Sequence, residues 1–291
     1  MSRCLSASLL LAVMPLAAAS PIVDDGGHTL VLAAPAQRIV SLWPGATALL
    51  FAAGAGDRIV ATADYSDEPE AARRIARIGD AQSFDVERIL ALHPDVVVAW
   101  EGGTSPLALA RLERVGLRVY RAGFARLTEL PDTLRRLGAL AGTSAVADPA
   151  AAALAARIQA LRARYARPAR PPTVLIQVWD RPVYTVGRAQ ILSDVLGACG
   201  YRNVFDDLAA PAPAVSEESV LARDPDVILA LAPDEASARA WLDRWRDVGA
   251  LRAVRGGRLL ADSDPRLSRM GPGLVPAAEA LCERLAGLYS R

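Results

Sequence analysis

One tryptophan occupies a position that suits ligand binding. Trp100 follows the apolar run 96–99 and is followed closely by Gly102 and Gly103. A continuous apolar run of this kind is typical of a strand buried in a parallel sheet. A large aromatic side chain at the carboxyl end of such a strand can present a flat face to a flat ligand. The alternative interpretation is that Trp100 packs, partly buried, against its own domain.

The full sequence contains none of the motifs that identify common enzymes. Its two histidines, His28 and His93, form no cluster with the cysteines at metal-ligand spacing. The phosphate-binding G-x-x-x-x-G-K-[ST] motif, the G-x-S-x-G motif and an obvious nucleophile–base pair are also absent. The sequence therefore predicts no metal site, no cofactor and no catalytic residue, and an exported enzyme remains only as a weakly supported alternative.

The first 20 residues differ in composition from the rest of the chain. Arg3 precedes a mostly apolar run, residues 5–19, which ends in small residues. This pattern is typical of a cleaved secretory signal peptide, and the run is too short to span a bilayer. We therefore expect residues 1–20 to be removed on export. The rest of the composition gives no indication of nucleic-acid binding, because 33 basic residues are balanced by 32 acidic ones.

Removal of the signal peptide leaves an even number of cysteines. Cys4 is lost with the peptide, and Cys199 and Cys282 remain. Exported proteins mature where thiols are oxidised, so this pair predicts one disulfide bond. Two separate buried thiols are the alternative.

An internal repeat indicates how the chain is organised. Residues 87–99 read ERILALHPDVVVA and residues 218–230 read ESVLARDPDVILA, a constant spacing of 131 residues. Each copy predicts a helix, a Pro-Asp turn and a buried strand, and such alternation is typical of an α/β fold. The spacing is too long for a solenoid and predicts two similar α/β lobes with mainly parallel sheets. Residues 67–78 are also predicted to be helical, with Asp67 as the N-cap.

One long helix is predicted between the two copies. Asp148 can cap it, Pro149 suits its first turn, and strong helix formers follow as far as Ala166. Pro168 and the prolines after it end the helix. A helix over residues 147–168 would join an N-terminal lobe, residues 36–146, to a C-terminal lobe, residues 169–291. An ordinary surface helix is equally consistent with the local sequence.

Four segments of the chain resemble a known family: residues 38–54 (RIVSLWPGATALLFAAG), 64–71 (DYSDEPEA), 85–103 (DVERILALHPDVVVAWEGG) and 216–230 (SEESVLARDPDVILA). They are similar to the helical-backbone class of periplasmic binding proteins, which serves importers of cobalamin, siderophores and haem. The resemblance extends over residues 36–288. It implies a periplasmic location and two α/β lobes joined by one long helix, with the ligand between them. A cleft between domains is also where physical reasoning places a small-molecule site.

The resemblance implies a set of ligand contacts. On the pattern of the family members that bind cobalamin, they are Tyr65, Trp100, Tyr184, Asp264 and Arg269. The corrin ring carries amide groups around its edge, so carboxylate and guanidinium partners suit it. The implied ligand is therefore a corrinoid such as vitamin B12, carried as cargo and not as a cofactor. Haem or an iron siderophore is the alternative ligand on the same fold.

Two departures from that pattern bear on the ligand. Where those members have further pocket tryptophans, this chain has Ala81 and Ala212. The loss of two large flat side chains changes the shape of the predicted cleft. Trp43 and Trp179 lie on neighbouring predicted loops and could fill part of that space. The departures leave room for a different corrinoid or a precursor.

The resemblance also implies a partner. Glu87 and Glu218 occupy equivalent positions in the two repeat copies and match glutamates that meet arginines of a membrane permease in the family. Without the match, each would be read as a solvated charge favoured by the helix dipole. The expected partners are thus a small-molecule ligand and the permease dimer of an ABC importer, with the chain itself a monomer. A receptor in a signal relay is the alternative partner.

Overall fold

The computed structural model describes residues 21–80, 83–166 and 170–289. The predicted signal peptide, Ala81 and Pro168 lie outside the described residues. In the described part, no helix combines the length and the apolar character needed to cross a membrane.

The N-terminal lobe is built on a four-stranded parallel sheet. Its apolar strands are buried because helices cover the sheet, as the continuous apolar runs predict. The strand order is β4-β3-β5-β6, and β1 pairs antiparallel with β2 to form a separate hairpin. In chain order the elements are β1 (Pro21–Val23), β2 (Thr29–Val31), β3 (Ile39–Ser41), α1 (Pro44–Ala52), β4 (Ile59–Thr62), α2 (Val86–Ala91), β5 (Val96–Trp100), α3 (Pro106–Arg114), β6 (Val119–Ala122) and α4 (Leu130–Ala141).

The predicted helix over residues 67–78 is wrong. Only a short 3₁₀ turn, Glu70–Arg74, forms there. The chain after it is extended, because it pairs with the edge strand β4: Thr62 N–H donates to Ala76 O at 2.9 Å, and Ile78 N–H donates to Thr62 O at 3.1 Å. Tertiary pairing with an open sheet edge outweighs the local preference for a helix.

A single long helix, α5 (Ser144–Tyr165), follows the N-terminal lobe. It begins three residues before the predicted start, so Pro149 lies inside the helix and not in its first turn. One stripe of small and aliphatic side chains on this helix is buried: Ala147, Ala151, Leu154, Ile158 and Leu161. This spacing of three and four residues places them on one face. The helix is therefore packed along its length and is not a free surface helix.

The C-terminal lobe repeats the architecture of the first. Its parallel sheet has the order β12-β11-β7-β9, and β8 pairs antiparallel with β10. In chain order the elements are β7 (Thr173–Gln177), β8 (Val183–Tyr184), α6 (Ile191–Ala198), β9 (Arg202–Asn203), β10 (Ala214–Val215), α7 (Glu217–Arg223), β11 (Val227–Leu231), α8 (Glu235–Arg246), α9 (Arg252–Arg255), β12 (Leu259–Asp262), α10 (Arg266–Arg269) and α11 (Leu274–Gly287).

The two repeat copies perform the same structural task. The Asp95 carboxylate accepts hydrogen bonds from the backbone N–H groups of Gln37 and Arg38, at 2.7 and 2.8 Å, just before β3. The Asp226 carboxylate accepts from Thr173 N–H at 2.8 Å, at the start of β7. In both lobes the Pro-Asp turn therefore ties the strand that follows it to the neighbouring strand.

The lobes are joined by packing and by charge. One continuous cluster of buried apolar side chains runs from the N-terminal lobe through α5 into the C-terminal lobe. Asp194 of α6 accepts a hydrogen bond from Leu127 N–H at 2.8 Å and pairs with Arg162 of α5 at 2.7 Å. The predicted disulfide is present: Cys199, just after α6, is bonded to Cys282 in α11. The buried cluster and the contacts of Asp194 hold the two lobes together, whereas the disulfide lies within the C-terminal lobe and ties α11 to the end of α6.

Candidate ligand-binding cleft

A cleft of about 900 Å³ lies between the two lobes. It is lined by the residues that follow the carboxyl ends of strands in both sheets: β5 and β6 in the first lobe, and β7, β11 and β12 in the second. Open parallel sheets bind ligands outside the carboxyl ends of their strands. The volume is at the upper end of the range for small-molecule sites. The sheet topology therefore places this cleft where a large ligand would bind.

The wall of the N-terminal lobe is aromatic and rigid. Trp100 lines the cleft and stacks on Trp43, with ring centroids 5.6 Å apart and planes 13° apart. Trp43 is buried and also contacts Phe124, which lines the cleft beside Trp100. Gly103 is required here, because a Cβ atom at that position would lie 1.9 Å from the Trp100 ring. Packing and ligand contact are thus compatible roles for Trp100, because the side chain stacks on Trp43 and also lines the cleft.

The wall of the C-terminal lobe is apolar but less tightly packed. Val178 and Leu231 line it, and Trp179 projects from the loop after β7 with 56% of its surface exposed. Trp179 is supported from one side by Trp241, with ring centroids 6.3 Å apart and planes 58° apart. Ala212, the small residue at a predicted pocket position, also lines the cleft. Trp179 and Ala212 therefore line the same cleft, whereas Trp43 is buried behind Trp100.

The charged residues that line the cleft are all acidic. They are Asp25, Glu101, Glu129 and Asp264, and among the described lining residues there is no arginine, lysine or histidine. The pKa of Asp264 is lowered, mainly because Arg266 donates to both of its carboxylate oxygens. Burial raises the pKa of Asp25. Anionic ligands consequently find no cationic side chain on these walls.

Hydrogen bonds set the pKa of Glu129 in the lining of the cleft. Burial acts to raise the pKa of Glu129, but the pKa is lowered overall because the N–H groups of Ala125 and Arg126 and the Arg126 side chain donate to its carboxylate. In the described part of the chain, no group of three or more His, Cys, Asp or Glu side chains is arranged to hold a metal ion.

Of the five predicted ligand contacts, the structure brings two into the lining of this cleft. They are Trp100 and Asp264. Tyr184, in β8, pairs with Ala214 and forms a backbone bridge with Trp179, but it is not among the described lining residues. Its contact with ligand stays a prediction.

Tyr65 and Arg269 lie together at a separate small hollow between the lobes. Tyr65 is 74% exposed and has a positive φ of 62°, in the turn after β4. The Arg269 guanidinium, at the end of α10, pairs with Glu68 at 3.3 Å and with Asp67 at 3.8 Å. Because Glu68 and Asp67 belong to the N-terminal lobe, this ion pair bridges the two lobes. Ligand contact by these two residues also stays a prediction.

The two predicted docking glutamates are exposed in equivalent first turns. Glu87 lies in α2 and Glu218 in α7. The pKa of Glu218 is lowered by hydrogen bonds from its own backbone N–H and from Ser216. Both side chains are accessible to a partner.

Other residues of the cleft were not identified from the sequence. They include Asp25, Glu101, Phe124, Glu129, Gln190 and Met270. Phe124 carried a usable signal, because it follows the end of an apolar strand as Trp100 does. Asp25 and Met270 reach the cleft only through the docking of the β1–β2 hairpin and the turn after α10, for which no local pattern exists.

The fold and the cleft together define a class: a two-lobed α/β binding protein with a ligand site between the lobes. The sequence profile of the periplasmic binding protein family matches residues 39–260. The chain belongs to this family.

Known relatives agree with this assignment over most of the chain. The chain is 34% identical over 251 residues to a vitamin B12-binding protein of Vibrio cholerae serotype O1, covering 86% of this chain and 90% of the relative. The crystal structure of the periplasmic vitamin B12-binding protein BtuF of Vibrio cholerae superposes with a TM-score of 0.80, over 88% of this chain and 99% of that one, at 34% identity. The apo periplasmic haem-binding protein RhuT of Roseiflexus sp. RS-1 superposes with a TM-score of 0.74, over 87% and 98% of the two chains, at 26% identity.

Proposed function

We propose that this chain is a periplasmic substrate-binding protein that captures a corrinoid, such as vitamin B12, and delivers it to the permease of an ABC importer. The observation that carries the proposal is the cleft itself: it is large and apolar, has a stacked tryptophan on one wall, and the charged residues of its described lining are all acidic. The relatives named for vitamin B12 binding support the same ligand. The chain acts by binding and release and not by catalysis.

The charges of the cleft favour a corrinoid over the alternative ligands. Haem carries two propionates, and many ferric siderophores are anionic, so both ligands call for cationic partners. The described cleft lining offers Asp25, Glu101, Glu129 and Asp264 instead. The amide groups at the edge of a corrin can donate hydrogen bonds to these carboxylates, and the apolar walls can pack against the ring.

The ligand is tested by calorimetric titration of the oxidised mature protein. Cyanocobalamin, hemin and a ferric siderophore are titrated separately at the same pH and ionic strength. We expect one-to-one binding of cyanocobalamin and no measurable binding of the two anionic ligands. Tight binding of hemin without cyanocobalamin would overturn the corrinoid proposal, while the family assignment would stand.

Delivery to a permease is tested by uptake. A strain of the source organism that lacks this chain is complemented with the double variant Glu87→Ala, Glu218→Ala, and uptake of labelled cyanocobalamin is measured. The expected result is loss of uptake with unchanged ligand affinity, because rim charges orient the encounter and do not touch the cleft. The matched control is Glu70→Ala with Asp148→Ala, which removes two exposed carboxylates elsewhere. Equal uptake by both double variants would contradict docking through Glu87 and Glu218.

A further inference from the structure

Helices α2 and α7 of the two repeat copies differ at a buried position but share one exposed set of residues. Buried Ile89 in α2 corresponds to buried Val220 in α7. The fold needs only an apolar residue at this position, so the substitution is tolerated. Three exposed positions are nevertheless identical, Glu87, Leu90 and Ala91 in the first copy and Glu218, Leu221 and Ala222 in the second, whereas Arg88 and Leu92 are replaced by Ser219 and Arg223.

These exposed residues form one patch on each helix. Positions i, i+3 and i+4 of a helix lie on the same face, so each glutamate is flanked by a leucine and an alanine. Leu90 is 37% exposed and Leu221 is 39% exposed. We call the two sets, Glu87–Leu90–Ala91 and Glu218–Leu221–Ala222, the paired patches.

The topology places the paired patches on corresponding parts of the two lobes. Each helix leads through a Pro-Asp turn into the central strand of its sheet, β5 or β11. The helix therefore runs antiparallel to that strand and begins near the carboxyl edge of the sheet, where the cleft lies. One patch thus stands on each side of the cleft.

We infer that Leu90 and Leu221 are apolar anchors within the paired patches, which hold the docked partner beside the two glutamates. The inference rests on the proposed function. The partner it fits is a membrane protein built of two equivalent subunits, each presenting a cationic side chain next to an apolar hollow that accepts a leucine.

A single exposed leucine would not indicate a docking site, because isolated exposed leucines are common. Here two leucines occupy the same position in the two repeat copies, and each lies about one turn after an exposed glutamate. Both leucines keep more than a third of their surface exposed, so burial alone does not account for their identity. The glutamates increase the rate of encounter with the partner, and the leucines stabilise the bound state because their apolar surface is removed from water.

The test is uptake of labelled cyanocobalamin by the complemented strain, with each variant expressed at the native level. Leu90→Ser and Leu221→Ser are each expected to lower the uptake rate about fivefold, and the double variant to lower it further. The control is Leu107→Ser, which alters a leucine that is 75% exposed at the start of α3, away from both patches. Ligand affinity of every variant, measured by calorimetry, is expected to stay within about twofold of the unaltered protein, because neither patch lines the cleft.

Each possible outcome decides the inference. Leucine variants that match Leu107→Ser, while the glutamate variants lose uptake, would show that the glutamates dock without apolar anchors. A loss confined to one lobe would overturn a partner with two equivalent subunits. Failure of the unaltered protein to bind cobalamin or to restore uptake would instead overturn the proposed function on which the inference rests.

Discussion

The two lobes share a fold but build different walls for the cleft. Ile39 pairs with Val96 in the first sheet as Val174 pairs with Val227 in the second. With this register, the stacked pair Trp43 and Trp100 corresponds to Val178 and Leu231 in the C-terminal lobe. The aromatic residue of that lobe, Trp179, lies one position further along the chain and is half exposed.

This difference indicates that the two walls of the cleft have different roles in ligand binding. The N-terminal wall is fixed before any ligand arrives, because Trp100 is stacked and Trp43 is buried behind it. A preorganised aromatic face binds with a smaller loss of side-chain entropy. The C-terminal wall is more exposed, because more than half of the Trp179 surface is accessible. The loop that carries Trp179 is held by a 2.8 Å ion pair between Arg244 and Asp180. We interpret the first wall as the surface that defines the ligand and the second as the surface that adjusts to it.

The largest expected effect tests what holds the C-terminal lobe together. Replacing Cys199 and Cys282 by serine opens a disulfide that spans 83 residues. Chain-entropy arguments predict a loss of about 4.5 kcal/mol in the free energy of unfolding, measured by urea denaturation of oxidised samples. Ligand affinity at 25 °C should change little, because the bond lies behind the wall and not on it. A loss below about 1 kcal/mol would mean that packing of α6 against α11 alone fixes this lobe.

The second prediction compares the two walls directly. Trp100→Ala should weaken corrinoid binding about 100-fold, since buried aromatic anchors dominate binding energy. Leu231→Ala, at the corresponding position of the other lobe, should weaken it less than about tenfold. Calorimetry measures both variants. Similar losses would remove the distinction between a defining wall and an adjusting wall.

The third prediction concerns the loop that carries Trp179. Arg244→Met removes the bonds from Arg244 to Asp180 and Glu217 but keeps an apolar stem of similar length. We expect a loss of affinity of about fivefold and stronger acrylamide quenching of Trp179 fluorescence, because the loop gains freedom. Arg239→Met is the control, since Arg239 lies on the same helix and pairs only with Glu235 among the partners described. Unchanged quenching would show that Trp241 alone positions Trp179.

The smallest expected effect is on the pH dependence of stability, which should have opposite signs for Asp264 in one wall and Asp25 in the other. The pKa of Asp264 is lowered by Arg266, so its ionised form stabilises the folded state above the ordinary carboxyl pKa, and this stabilisation is lost as pH falls through the lowered value. Asp264→Asn should therefore cost roughly 0.5–1 kcal/mol at pH 7 and nothing in strong acid.

Asp25→Asn provides the contrast in the other lobe. Burial raises the pKa of Asp25, so ionisation of this group disfavours the folded state as pH rises through the raised value. The asparagine variant should gain stability relative to the unaltered protein over that interval. Urea denaturation at several pH values measures both variants, and the same sign of pH dependence for the two would contradict the assignment.

Some elements of the fold could be predicted from the sequence and others could not, for physical reasons. The lobes, the long helix and the disulfide were predictable, because repeat spacing, helix propensity and cysteine number are properties of the chain itself. The helix predicted at residues 67–78 was wrong, because an open strand edge at β4 offered backbone partners that local propensity ignores. The start of α5 was missed by three residues, because Pro149 is tolerated further into the helix than its preference for the first turn indicates.

The residues of the site can likewise be divided into those that the sequence predicted and those that it did not. Trp100 was predictable as the last residue of an apolar strand, and the equivalence of Glu87 and Glu218 followed from the repeat. The sequence by itself indicated two α/β lobes and one aromatic residue at a strand end, because periodicity and repeat spacing encode these, and it predicted a long helix between the repeat copies and a disulfide, each beside an alternative. Only the tertiary structure decided that Trp43 backs Trp100, that Arg269 bridges the lobes and that every charge on the described cleft lining is acidic. Those features arise where loops from distant strands meet, and no local pattern in the chain specifies which loops will be neighbours.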